Sequence, residues 1–170
     1  MTYSPKHDNT RSVFITLCFC VLSVFCFMTA GIKPDYKWLL QLLFVIFATM
    51  AIQMLLKYVL TSFRYVCDDK SLYIYKSVGK RELLVGKLEL TNSASYMMTE
   101  KEFLCSDENY NIKATYTHIQ NYKAKDVYIY VTTLGETNYM IKLETDEGFA
   151  EYVNSKIDEN LKGTNKNDEI

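Results

Sequence analysis

Residues 12–31 read SVFITLCFCVLSVFCFMTAG, twenty consecutive positions without a charge. As a helix rising 1.5 Å per residue, such a stretch is roughly 30 Å long, the thickness of a bilayer's hydrocarbon core. Residues 38–56, WLLQLLFVIFATMAIQMLL, repeat the pattern and extend past Lys57 to Leu60. Both runs are apolar on every face, unlike a helix that packs one side on a soluble core. The connecting residues 32–37, IKPDYK, hold Pro34 and three charges. They stop the first helix and leave room only for a tight hairpin. Backbone groups in lipid must pair within their own segment, so two antiparallel membrane-spanning helices are predicted over residues 12–60. Lys57 can reach the headgroups along its apolar stem.

Orientation follows from Lys and Arg near the span ends. The outer flanks carry Lys6, Arg11, Lys57, Arg64 and Lys70; the hairpin loop carries Lys33 and Lys37. This bias predicts a two-span protein of the cell membrane with both termini cytoplasmic, residues 1–11 being an N-terminal tail. Tyr36 and Trp38 then belong to the outer aromatic belt. A cleaved signal peptide is the rival reading of the first run, which has a basic start and small residues at Thr29-Ala30-Gly31. Against it, the apolar stretch is long for a signal h-region, and a second span follows at once.

From residue 62 the pattern changes to short runs of period two, rich in β-branched and aromatic residues. FRYVC at 63–67 and LYIYK at 72–76 flank the turn composition DDKS. One or two strands follow over 82–90, broken near Gly86, and another over 94–98. Residues 100–111 read as a polar loop around the apolar island Phe103-Leu104-Cys105. Residues 114–122 read as a strand, VYIYV at 127–131 as the clearest one, and YMIKL at 139–143 returns after the turn GETN. Phe149, Val153 and Ile157 repeat at spacing four after the N-cap candidates Thr145 and Asp146, which predicts one amphipathic helix reaching Leu161. Residues 162–170 carry no pattern and read as a disordered tail.

Six or seven antiparallel strands and one C-terminal helix predict an α+β chain whose residues 62–161 form an antiparallel β-sandwich or open barrel capped by that helix. This order of elements, carried by FRYVCDDKSLYIYK, by residues 127–143 and by TDEGFAEYVNSKI, resembles a pleckstrin-homology (PH) domain. With the N-terminal hairpin, the whole chain resembles small bacterial membrane proteins with a cytoplasmic PH-like domain. The resemblance is architectural, and it implies a non-enzymatic module tethered to the membrane.

Composition narrows the function classes. Nineteen Lys and Arg against twenty Asp and Glu leave a net charge of −1, which excludes a nucleic-acid binder that works through a basic face. Residues 62–162 hold thirteen basic and sixteen acidic side chains. Lys76, Lys80, Arg81 and Lys87 are the nearest group to the basic hairpin of phosphoinositide-binding PH domains, with Asp68 and Asp69 beside them. They are candidates for lipid or partner contact, against the plain reading of solvated hairpin charges. Gln41 and Gln53 lie within the second span, where an amide usually faces another helix; they are candidates for hairpin packing or self-association.

No catalytic, cofactor or metal site is expected. The five Cys, with Cys18-x-Cys20 in the first span, have no ligand spacing and read as packing residues. His7 and His118 join no Ser or Cys nucleophile in sequence, and the acidic stretch 100–108 lacks the alternating ligands and central Gly of a calcium loop. The fourteen Tyr suit half-buried strand faces. The expected function is a membrane-anchored, non-enzymatic interaction or scaffold module at the cytoplasmic face, with the bilayer and a protein partner or a second copy as its contacts. The alternative is an anionic-lipid sensor using the Lys76 to Lys87 hairpin.

Overall fold

The computed structural model describes residues 1–32, 34–106 and 110–165. The chain forms two compact units, one made of Met1–Lys6 together with Phe63–Ile170, the other of His7–Ser62. Lys33, residues 107–109 of the acidic loop and residues 166–170 of the expected tail lie outside the described residues.

The second unit is a helical hairpin. Helix α1 (Thr10–Ile32) and helix α2 (Lys37–Met54) are joined through a 3-10 turn at Pro34–Tyr36, and α2 ends in a wider π turn at Leu55–Val59. Each apolar helical stretch, Thr10–Ile32 and Lys37–Val59, is long and apolar enough to cross a membrane. The buried residues of α1 are Ser12, Thr16, Ser23, Cys26 and Ala30. With Phe19, whose ring stacks on Phe47 at 6.2 Å, they recur at alternating spacings of four and three, which is the seam of a left-handed helix pair. Ser23 donates to the Phe44 carbonyl at 3.4 Å across the seam. Large apolar side chains point away from it: Phe14 is 65% exposed and Phe25 63%. Small and hydroxyl residues inside with large apolar residues outside is how helices pack among acyl chains.

The other unit holds two four-stranded sheets. In the first, β1 (Thr2–Tyr3), β2 (Thr61–Cys67), β3 (Ser71–Val78) and β4 (Arg81–Glu89) lie in that order. β1 lies within the expected N-terminal tail, residues 1–11, and adds its first residues to this sheet. Thr2 and Tyr3 pair antiparallel with Val66 and Tyr65, and the Met1 amine donates to the Cys67 carbonyl at 2.7 Å. Residues 4–60 thus lie, along the chain, between two paired strands. β4 is one strand rather than two. Ile74 pairs with Gly86 but Tyr75 with Leu84, so Val85 is an extra, bulged residue.

After a 3-10 turn at Leu90–Asn92 come β5 (Met98–Thr99) and a short helix, α3 (Glu100–Cys105). β5 is all that remains of the strand expected over 94–98, and α3 replaces the expected loop. Thr99 and Glu102 form a reciprocal capping box that satisfies the first amides of α3. β6 (Ile112–His118), β7 (Val127–Leu134) and β8 (Thr137–Glu144) complete a second sheet of order β5-β7-β8-β6.

β6 runs parallel to β8, a correction to the all-antiparallel expectation. β7 and β8 form a hairpin through Gly135, whose φ of 64° suits glycine. β5 takes the other edge of β7, so β6 has only the far side of β8 to pair with. Helix α4 (Glu147–Asn165) starts at the Asp146 cap, whose Oδ1 accepts the Phe149 amide at 2.8 Å. It runs four residues beyond the expected end at Leu161.

One core joins both sheets and α4: Phe63, Tyr65, Leu72 and Ile74 from the first sheet, Tyr130, Ile141 and Leu143 from the second, and Phe149, Val153 and Ile157 from the helix. A buried polar cluster fastens the N-terminal segment to it. Glu144 Oε2 accepts the amides of Gln120 and Asn121, both at 2.9 Å. Gln120 in turn accepts the Phe63 amide and donates to the Pro5 carbonyl, while Asn121 donates to that of Lys6. Tyr65 donates its hydroxyl to the His118 carbonyl at 2.6 Å, and burial pushes its phenol up.

Candidate functional site

Successive side chains of a strand point to opposite faces, so the β3 and β4 register decides where the basic hairpin residues lie. Lys76 stands opposite Leu83 and Arg81 opposite Val78, on the face that carries Leu72 and Ile74 towards the core. Lys87 stands opposite Tyr73 on the other face, its ammonium 6.0 Å from that ring. Lys80 follows Gly79 in the tight turn, where the backbone needs a φ of 61°. The hairpin brings Lys80 and Arg81 together at its tip and divides Lys76 from Lys87. On the outer face Arg64 holds Glu82 with two bonds of 2.9 and 2.7 Å and covers the Tyr75 ring at 4.6 Å. That bond lowers the Glu82 carboxyl below its ordinary value.

Gln41 and Gln53 are both exposed on α2. Residues facing α1 are Phe44, Phe47 and Ala51, so neither amide serves the packing of the hairpin on itself.

Two features of the β domain stand out that the sequence alone did not single out. The first is a cleft of about 450 Å³ between β4 and the second sheet, lined by Ile74, Val85, Leu88, Tyr116, His118 and Ile141 among others. Its volume falls in the range of ligand-binding pockets, and its walls are mainly apolar. His118 packs edge-on against Phe63 at 5.6 Å. Burial, and then the Lys76 charge, push its imidazole below the ordinary value, so it is neutral at pH 7.

The second feature is the outer edge of the first sheet. β4 ends the strand order, so among the described residues one row of its backbone groups has no neighbouring strand. On it Leu83, Leu84 and Val85 are 62%, 52% and 42% exposed. A long edge strand with consecutive exposed apolar residues is a template for pairing with another chain. The signal was present in RELLVGKLE, whose three successive apolar residues break the alternation of a half-buried strand.

Among the described residues no three His, Cys, Asp or Glu side chains come close enough to share a metal ion. Burial pushes the Cys67 thiol up to about 11, which keeps it protonated and unreactive. No protein-family model, no curated protein and no solved structure matches the chain.

Proposed function

We propose that this chain is a non-enzymatic, membrane-anchored interaction module. In this reading α1 and α2 cross the cell membrane, both termini are cytoplasmic, and the β domain engages a protein partner through the β4 edge and the cleft beside it. The observation that carries it is the run of exposed apolar residues, Leu83, Leu84 and Val85, on an edge strand that no other strand covers among the described residues. Main-chain pairing along such an edge supplies affinity, and a neighbouring pocket for side chains supplies selectivity.

Several features support the rest of the reading. Two spans return the chain to the side it left, as the pairing of β1 with β2 requires. The first helix stays attached in this picture, because β1 lies upstream of it and would leave with it. The excess of Lys and Arg outside the hairpin loop favours the cytoplasmic side for the β domain. Two sheets and a C-terminal helix sharing one core support the likeness to the PH-like domains of small bacterial membrane proteins; the parallel β6 and β8 pair is where the chain departs from it.

The test uses the full chain with a C-terminal tag and a photo-crosslinking residue at Leu84. The chain should stay in the pellet after alkaline carbonate extraction. The tag should resist protease added outside intact cells, and protein crosslinks should form at Leu84 and vanish with Val85→Arg. Release into the supernatant, or digestion from outside, overturns the anchored cytoplasmic arrangement. Crosslinks to lipid that disappear with Lys80→Glu and Arg81→Glu would replace the protein partner with an anionic lipid.

A further inference from the structure

We infer that the occupant of the β4 edge is a second copy of this chain, paired antiparallel through the same strand. The inference rests on the reading of β4 as an interaction edge and adds the identity of the partner. The argument begins with the order of residues in β4, Arg-Glu-Leu-Leu-Val-Gly-Lys-Leu-Glu from 81 to 89. A two-fold axis at Leu84, with the bulged Val85 outside the alternation, sets Glu82 opposite Lys87 of the second copy, twice. Between these two charge pairs Leu83 meets Gly86 and Leu84 meets Leu84 of the second copy. Arg81 meets Leu88, so no like charges oppose each other. Opposite-charge and apolar cross-strand pairs are the stabilising ones, and like charges directly opposite are the destabilising ones.

The faces agree as well, and the bulge is the reason. In a regular strand, residues 82 and 87 differ by an odd number of steps and point to opposite faces. The extra residue Val85 shifts the alternation by one. Glu82 and Leu84 stand opposite Ser77 and Tyr75, and Lys87 stands opposite Tyr73, so all three lie on the outer face. Leu83, Gly86 and Leu88 lie on the inner one. Without the bulge, this self-pairing would set outward residues against inward ones.

Each pair also has a prepared surrounding. Glu82 is already held by Arg64 at 2.7 Å, so Lys87 of the second copy would add a second cation to a fixed carboxylate. Gly86 carries no side chain of its own to oppose the Leu83 side chain that comes to face it. The product is one continuous sheet of eight strands, with no apolar edge left at β4. An anchor in the same bilayer raises the effective concentration of the second copy, so a modest interface suffices.

The experiment uses the full chain in nanodiscs and in dilute liposomes. Single-molecule photobleaching should show two copies of the wild type per particle. Leu84→Lys should weaken the association at least tenfold while circular dichroism stays unchanged. Register is read by cysteine crosslinking with Cys18, Cys20 and Cys105 replaced by Ser. A chain carrying Glu82→Cys and a separately tagged chain carrying Lys87→Cys should form a mixed disulfide. Neither should link to its own kind, because with Val85 bulged those positions lie about four strand steps, roughly 14 Å, apart. A monomeric wild type, an association indifferent to Leu84→Lys, or links between two Glu82→Cys chains overturns the inference. A monomer that still crosslinks a foreign protein from Leu84 overturns only the second copy and leaves the interaction edge standing.

Discussion

In the helical hairpin the shielded positions are Ser12, Thr16, Ser23, Cys26 and Ala30, while Phe14, Phe25 and Met28 face outward. In the β domain the shielded positions include Tyr65, Leu72, Tyr130, Phe149 and Val153, and of the charged side chains described only Glu144 is buried with them. The two units of one chain are built inside out relative to each other. On the proposed membrane-anchored reading a single rule accounts for both: each unit turns outward the side chains its solvent accepts. Where water is the solvent, apolar burial drives folding. Among acyl chains that drive is absent, and close approach through small residues decides helix packing. The β4 edge is the exception in the β domain, and the two exposed amides of α2 are the exception in the hairpin.

The largest expected effect tests the contrast directly. Phe149 is fully buried against the rings of Tyr3 and Tyr65, so Phe149→Ala should destabilise the β domain by about 3–5 kcal/mol. Phe25→Ala removes the same atoms from an outward position of α1 and should change stability by no more than about 0.5 kcal/mol. Hydrogen exchange of the detergent-solubilised chain reads both. Equal loosening by the two substitutions would break the comparison.

The next effect sharpens it, because it concerns a polar group buried in the β domain. Glu144→Ala leaves the amides of Gln120 and Asn121 without their acceptor and should destabilise the β domain by about 1–3 kcal/mol. The loss should show first as faster exchange and proteolysis at residues 1–6, whose carbonyls at Pro5 and Lys6 hang on the same cluster. Unchanged protection there would mean that the cluster does not hold the N-terminal strand.

The smallest effect is a pH dependence confined to the β domain. The folded imidazole of His118 lies below its ordinary value, chiefly through burial. The unfolded chain therefore binds the proton more readily, and stability is full above the ordinary value near 6.5. It is lost as pH falls from there through the lower folded value. Thermal melts of the β domain between pH 7.5 and 5 should decline, and His118→Gln should flatten that slope. An identical slope in the variant would assign the decline to other groups.

Legibility in the sequence followed the range of the signal. The spans, the hairpin around Gly135 and the stripe Phe149, Val153 and Ile157 are local patterns of the right period. β1 is two residues long and pairs with a strand about sixty positions away, so no periodicity could reveal it. α3 is six residues long, too short for a hydrophobic stripe, although the Thr99 and Glu102 capping box was there to be read. The four basic candidates are neighbours in sequence, yet the pleat sends Lys76 and Lys87 to different faces. Gln41 and Gln53 are polar residues in an apolar run, and only the helix contacts show that the residues facing α1 lie elsewhere on α2.

What the amino-acid order determined unaided is the division of the chain: two runs too apolar for water, then alternating and amphipathic patterns that require it. Those properties are set by neighbouring residues, and no distant contact can reverse them. Only the tertiary structure decided that the first residues join the β domain, that β6 runs parallel to β8, and that β4 is left uncovered beside a cleft. Whether a strand lies at an edge depends on which other strands have already taken its two sides, and that competition is settled between segments far apart in the chain.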